Sequence, residues 1–446
     1  MADRSNGEQM SNRVVYICHN HPAVRPGGAE LYALALHRAM RSRPGWESTF
    51  LARSGMPLTP VARNHEGTHL SVVDGATDEY YFHTDFAHFD SFMGWNAYKN
   101  LWTRYLRDFL EAYRPDVVHF QHTLFLGYEI IREVRNTLPN ATILYTLHEF
   151  VPICHRNGQM IRTINDDELC THSSPHRCHA CFPEHSPQAF FMRKRFVQSM
   201  FELVDLFIAP SEFLRERYIE WGIPPERIRF EENGSAGHDE APTVQDRVGR
   251  IPPRRIGFFG QLTRYKGIHV LLEAMRLLKN EGVEAHLWMH GANLDLQPIE
   301  FQKDVVNLLA ACQGSVTLAG KYEPDGLPEL MANVDWVVVP SIWWENSPLV
   351  VQEAFLHGRP IICSDIGGMA EKVKDGVNGL HFKARDPMSL ARTLARTTAD
   401  PELWRSLRKG IPRVQSIEGH ATTMSRLYLD LLTSKRSSIA AEVMHR

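Results

Sequence analysis

Short apolar runs alternate with helical patterns along the 446-residue chain, and the alternation restarts past its midpoint. In the first half, β-branched and aromatic runs predict strands at Val14–Cys18, Ser48–Ala52, Val117–Gln121, Thr142–Leu147 and Leu206–Ala209. Between them, Ala29–Met40 and Ala97–Ala112 carry apolar residues at helical spacing. The second half predicts strands at Arg255–Phe259, Ala285–Met289, Trp336–Val339 and Pro360–Cys363, with helices over Gly267–Leu278, Leu327–Ala332 and Leu349–Leu356. Such alternation implies α/β domains with mostly parallel sheets covered on both faces. No period of solenoid or propeller length recurs. Gly234–Pro253, rich in Gly, Pro and charge, predicts a linker. The expected fold class is therefore two Rossmann-like, doubly wound domains facing across a cleft. They span 1–235 and 250–415, and 416–446 forms a helical segment around Thr422–Leu432 with a polar tail. In such sheets ligands bind beyond the carboxyl ends of the strands.

Composition narrows the function without naming it. Hydrophobic residues make up 43% and charged residues 23%, ordinary for a globular chain. Lys and Arg total 49 against 52 Asp and Glu, a net charge of −3, which argues against a dedicated nucleic-acid binder. No apolar run has the roughly 18–20 residues of a membrane helix, and Met1–Asn12 lacks the apolar core of a secretory signal. The expectation is a cytoplasmic protein.

Four strand-to-helix connections carry candidate chemistry. Trp344-Glu345-Asn346-Ser347-Pro348-Leu349-Val350-Val351-Gln352-Glu353 follows a buried strand and opens a helix, with Ser347 predicted as N-cap and Pro348 as first helical residue. Free backbone N–H groups there favour a phosphate, and the two glutamates at different depths suit two sets of hydroxyls on one elongated ligand. Gly260-Gln261-Leu262-Thr263-Arg264-Tyr265-Lys266-Gly267 places Arg264 and Lys266 where a diphosphate needs cations. Pro26-Gly27-Gly28-Ala29-Glu30 lets backbone approach a phosphate or sugar closely, without the glycine spacing of a dinucleotide site. Thr146-Leu147-His148-Glu149 ends a strand with a histidine.

Together these segments resemble the retaining family 4 glycosyltransferases of the GT-B fold, over roughly residues 13 to 432. The most specific element is Glu345-x7-Glu353 followed by Gly358-Arg359-Pro360. The resemblance implies that Glu345, His148 and Lys266 act at the reacting sugar and diphosphate. It implies donor contacts from Gly27, Gly28, Gln261, Arg264, Asn346, Ser347, Leu349 and Val350, with Glu353 on the nucleotide ribose. Gln261 stands where the family commonly has an arginine, so either Arg264 substitutes or a cation comes from elsewhere. The implied donor is a UDP- or GDP-type sugar, and the acceptor a saccharide or lipid-linked saccharide of polysaccharide or glycolipid assembly. No cofactor is required for transfer. Two alternatives stand beside this reading: another GT-B enzyme such as a nucleotide-sugar epimerase, and a non-catalytic sugar-nucleotide binder, which Gln261 favours.

Cys154, Cys170, Cys178 and Cys181 fall within 28 residues at spacing C-x15-C-x7-C-x2-C, inside the polar segment 150–186. In a reducing compartment a disulfide framework is not expected, and four thiols in such a segment suit a structural zinc site, with an iron–sulfur cluster as the chemical alternative. Arg193-Lys194-Arg195, on the amphipathic stretch Phe190–Phe201, is a candidate contact to anionic lipid at the inner membrane face. The aromatics Tyr80-Tyr81-Phe82-His83 and Phe86–Phe92 either line an acceptor groove or pack a loop.

Overall fold

A computed structural model describes residues 11–54, 70–84, 88–96, 100–164, 168–235 and 254–444. Most of the predicted linker, 236–253, and Phe86 among the aromatics lie outside the described residues. The first sheet is built from β1 (Asn12–Cys18), β2 (Trp46–Arg53), β3 (Leu70–Val72) and β4 (Glu79–Phe82). After the small hairpin of β5 (Phe89–Asp90) and β6 (Trp95–Asn96), it is completed by β7 (Val117–Phe120), β8 (Thr142–Thr146), β9 (Leu206–Ala209) and β10 (Ile228–Phe230). Its order is β10-β9-β8-β7-β1-β2-β4-β3, parallel except for the β3–β4 pair at the edge. β1 is wholly apolar from Val14 to Cys18 and 0% exposed over that run, as a central strand covered on both faces must be.

The second sheet comprises β11 (Arg255–Phe259), β12 (His286–His290), β13 (Val316–Gly320), β14 (Trp336–Val339), β15 (Ile361–Ser364) and β16 (Gly379–Phe382). Its order is β13-β12-β11-β14-β15-β16, parallel throughout. The strands absent from the sequence reading are short or peripheral. β13, for example, is an edge strand whose central residues are exposed, so it shows no buried apolar run.

One expectation changes and one open alternative narrows. The last helix runs over Ile417–Met444, well past Leu432, and is no separate segment. It returns to the first domain: Ile417, Ala421, Met424 and Tyr428 pack with Val14, Tyr16 and Leu36. His119 Nδ1 and the Tyr428 hydroxyl lie 2.6 Å apart, and Tyr32 hydrogen-bonds His420 at 2.7 Å. Tyr81 and Phe82 are buried in β4, so these aromatics pack the core and do not line a groove. Cys18, Cys312 and Cys363 are buried as well. No helix among the described residues is long and apolar enough to cross a membrane.

Candidate active site

The carboxyl ends of β1, β7 and β8 in the first sheet face those of β11 and β14 in the second across a cavity of about 560 Å³. Gly27, Gly28, His148, Gln261, Lys266, Glu345, Asn346, Ser347, Leu349, Val350 and Glu353 all line it. Residues from the two halves of the chain meet because each leaves its sheet at the same end.

Glu345 is the best-held charge in the cleft. Its Oε1 accepts from Lys266 Nζ at 2.6 Å, Ser341 Oγ at 2.7 Å and Trp343 Nε1 at 2.9 Å. Burial pushes this carboxyl up, but the Lys266 charge and the three donors outweigh it and hold the group ionised, below the usual carboxylate range. Close backbone packing brings the pair together. Gly267 sits at φ +70° against the Pro340 carbonyl, and Ile342 N donates to Tyr265 O at 2.9 Å. Gly368 packs so closely on Asn346 O that a Cβ would overlap it, and its N–H donates to Glu345 O at 2.8 Å.

Glu353, one and a half turns into the helix Leu349–Leu356, is in a different state. Burial raises its carboxyl to about 7. A raised acid contributes stability that is complete below its ordinary value and lost as pH climbs through 7. The neutral isostere Glu353→Gln should therefore stabilise the free protein by about 1–2 kcal/mol at pH 8, after discounting for partial exposure, and by little at pH 5. Melting at both pH values checks this, and an unchanged melting temperature at pH 8 contradicts it.

The first-domain wall carries residues that the sequence reading did not assign. His19 Nε2 lies 3.0 Å from Glu30 Oε1, His122 Nε2 lies 2.9 Å from Glu149 Oε1, and the two rings stack tilted with centroids 4.3 Å apart. Beside them His148 Nε2 and Gln121 Oε1 lie 3.0 Å apart. Burial, with His122 nearby, pushes the His148 imidazole down to about 3, so it is neutral. His19–Glu30 joins the end of β1 to the helix that follows it, whereas His122–Glu149 and His148–Gln121 join the neighbouring ends of β7 and β8; periodicity reveals neither.

The Cys-rich segment begins at Phe150 on the cleft wall, and its cysteines lie around a separate void. Its four cysteines line a single, partly enclosed void of about 20 Å³. They are not drawn to the spacing of a filled metal site. Among the described residues, only His37, Asp78 and Glu79 bring three such ligand atoms within 4.8 Å of one another. That trio is tied into ion pairs by Arg38 to Glu79 at 2.9 Å and Arg41 to Asp78 at 2.7 Å.

The family model described as Glycosyltransferase Family 4 matches residues 26–234, and that described as Glycosyl transferases group 1 matches residues 253–400. The chain belongs to the GT-B glycosyltransferases. It is 28% identical over 206 residues to the lipopolysaccharide 1,2-N-acetylglucosaminetransferase of Salmonella typhimurium, covering 44% of this chain and 53% of that one. The chain spans about half the length of the curated relatives it matches. Its fold is shared with sucrose-phosphate synthase of Thermosynechococcus elongatus (TM-score 0.69, 18% identity, 95% of this chain and 100% of that one). It is shared also with Anabaena HepE, solved with UDP and glucose (TM-score 0.60, 16% identity, 93% and 98%).

Two site expectations are corrected, one is narrowed, and one for the surface is corrected. Arg264 does not line the cleft. The tight turn closed by Gly267 sends it to a separate cavity with His269, Glu273, Asp304 and Arg385, and it does not substitute for Gln261. Ser347 is not the N-cap: Pro348 holds that position without a side-chain bond, and the Ser347 hydroxyl is buried without a partner. Asn346 is engaged by the opposite domain, its Oδ1 accepting from Ser211 Oγ at 2.6 Å and its Nδ2 donating to His148 O at 3.1 Å. It bridges the two domains while still lining the cleft. At the surface, Arg193 is not a lipid contact, because it is buried and donates to Phe92 O at 2.7 Å and Pro152 O at 2.9 Å.

Proposed function

We propose that the chain is a retaining family 4 glycosyltransferase that moves a sugar from a UDP- or GDP-type donor to a saccharide or lipid-linked acceptor in polysaccharide or glycolipid assembly. The observation that carries this reading is the Lys266–Glu345 pair, with Glu353 in the helix that follows, facing the neutral His148 and the first-domain wall across one cleft.

The residues divide the donor between them. Glu353 takes the ribose hydroxyls, while Tyr322 and Phe259 line the same end of the cavity for the base. The diphosphate lies between the N-terminus of the helix Gly28–Arg41 and that of Leu349–Leu356, whose free N–H groups and dipoles favour negative charge. A Cβ at Gly28 would lie 3.4 Å from Leu349 Cδ1, so the two helix starts converge on the same ligand. Ser347 Oγ, buried and unpartnered, supplies a further donor, and Gln261 hydrogen-bonds a phosphate oxygen without neutralising it. Glu345 orients the sugar hydroxyls and His148 hydrogen-bonds one of them.

In transfer, the bond from the anomeric carbon to the diphosphate oxygen breaks and a bond to the acceptor oxygen forms on the same face. The acceptor proton passes to the leaving diphosphate. Lys266 and the two helix N-termini stabilise the charge that develops there, and because they are held before reaction they need little reorganisation. The His19–Glu30 and His122–Glu149 pairs bind acceptor hydroxyls. Glycosyltransferases of this type often need no cofactor, none is assigned to the transfer step, and zinc at the thiols has a structural role. Exposed Phe191 and Met192, beside Lys194 and Arg195, are the contact to a membrane surface.

A panel of UDP-, GDP-, ADP- and TDP-sugars tests the donor. One responsive donor at 100 times its dissociation constant should stabilise the fold by about 2.7 kcal/mol, read as a rise in melting temperature. Stabilisation by ADP- or TDP-sugars alone would overturn the donor assignment.

A further inference from the structure

We propose that Cys154, Cys170, Cys178 and Cys181 bind one zinc ion and that the metal-bound knot is a strap holding the second domain's catalytic loops against the first domain. The sequence spacing raises the ion; the structure adds a common void, unsatisfied donors around it, and the route to the active site.

Cys154, Cys170, Cys178 and Cys181 all line one small, partly enclosed void of about 20 Å³, room for a single small ion. They reach it from three directions. Cys178 and Cys181 lie three residues apart on the short helix Pro175–Cys181 and so share a face. Cys154 and Cys170 come from separate loops whose backbones are already fixed, Cys154 N donating to Phe150 O at 2.8 Å and Cys170 N to Met160 O at 2.7 Å. Cys170 Sγ now points to His172 O at 3.2 Å, and drawing four sulfurs to Zn–S distances of about 2.3 Å brings them inward from the walls. The thiols release their protons to solvent on binding, and a four-thiolate zinc centre carries a double negative charge. Arg162 and Arg177 line the same void, and the Nε of each is buried without a hydrogen-bond partner. Two orphaned guanidinium donors beside a neutral thiol set are costly, whereas beside thiolates they are partnered.

The segment that carries these cysteines is also what touches the opposite domain. Trp344 Nε1 donates to Cys170 O at 2.9 Å, and Arg156 Nη2 donates to the Tyr265 hydroxyl at 2.8 Å while its guanidinium covers that ring. Trp344 and Tyr265 are the immediate neighbours of Glu345 and Lys266. Fixing Cys154 and Cys170 to a metal therefore fixes both carriers of the Lys266–Glu345 pair. Only this last consequence, for catalysis, rests on the glycosyltransferase reading.

Two measurements need no donor. Protein purified without chelator should contain about one zinc per chain by elemental analysis. Cobalt(II) in its place should show thiolate charge-transfer and tetrahedral d–d absorption. Cys178→Ser/Cys181→Ser should lose the metal, while Cys312→Ser, in the second domain's core, should keep it. Should the double variant fail to fold, chelation of the wild type provides the second readout. Amide exchange should then rise in 340–348 and 262–267 as well as in 150–186. Absence of metal that added zinc or cobalt does not restore would overturn the site. So would metal retained by the double variant, or iron with cluster absorption in place of zinc. Exchange that rises only within 150–186 would overturn the strap. Either failure leaves donor binding, and with it the proposed function, separately testable.

Discussion

Glu345→Gln should lower the turnover of sugar transfer by about 10²–10³-fold while leaving the melting temperature within a few degrees of wild type. The carboxylate is the shared acceptor of Lys266, Ser341 and Trp343, and the Lys266 contact is a charge-assisted one at 2.6 Å. An amide presents a neutral oxygen to the same three donors, so Lys266 keeps a neighbour but loses the charge that aims it. A charge-assisted bond is worth roughly twice a neutral one, and an electrostatic group lost in a water-poor cleft costs about 3–4 kcal/mol in the transition state. The fold survives because the substitution removes no volume and the loop is still held by Gly368 N to Glu345 O. Initial rates of nucleoside-diphosphate release check the first part and thermal melting the second. Near-normal turnover would remove Glu345 from the reacting centre.

The second large effect is steric. Gly267→Ala and Gly282→Ala both place a side chain at φ +70°, so the intrinsic strain is alike, of order 1 kcal/mol. Around Gly282 nothing lies within 4 Å, whereas a Cβ at Gly267 would overlap the Pro340 carbonyl oxygen. The β14 loop has to move, and with it Glu345 away from Lys266. Gly267→Ala should therefore cost about 3 kcal/mol or more, a fall in melting temperature of roughly 6–12 °C, against a few degrees for Gly282→Ala. It should also abolish donor-dependent stabilisation, which Gly282→Ala should retain. Equal behaviour of the two variants would show that the close approach at Pro340 does not position the pair.

The parts of this architecture legible in the sequence are those that burial writes into contiguous residues. Central strands such as Val14–Cys18 and Trp336–Val339 are covered on both faces and read as apolar runs. Edge strands such as β13 are half-exposed and carry no such run. The loops that build the cleft are legible through their glycines and charges, because a strand end followed by Gly or His and a helix start is a local signal. What a one-dimensional reading lacks is direction. Arg264 and Lys266 are two residues apart, yet the turn closed by Gly267 sends Lys266 into the cleft and Arg264 to a different cavity. Asn346 sits in the middle of the most specific motif, but its amide bonds to Ser211 and His148 of the other domain. The His122–Glu149 pair depends on which strand ends lie side by side, which the order of the sheet decides, and the return of Ile417–Met444 to β1 is a long-range contact that leaves no local signal.

The central claim is transfer with retention in this cleft. Its most direct test is proton NMR of the slow hydrolysis of whichever α-linked nucleotide sugar stabilises the protein, with the free sugar observed before it mutarotates. The account predicts that the α anomer forms first and that Glu345→Gln suppresses its formation. A first-formed β anomer, or release that is indifferent to Glu345, would contradict it.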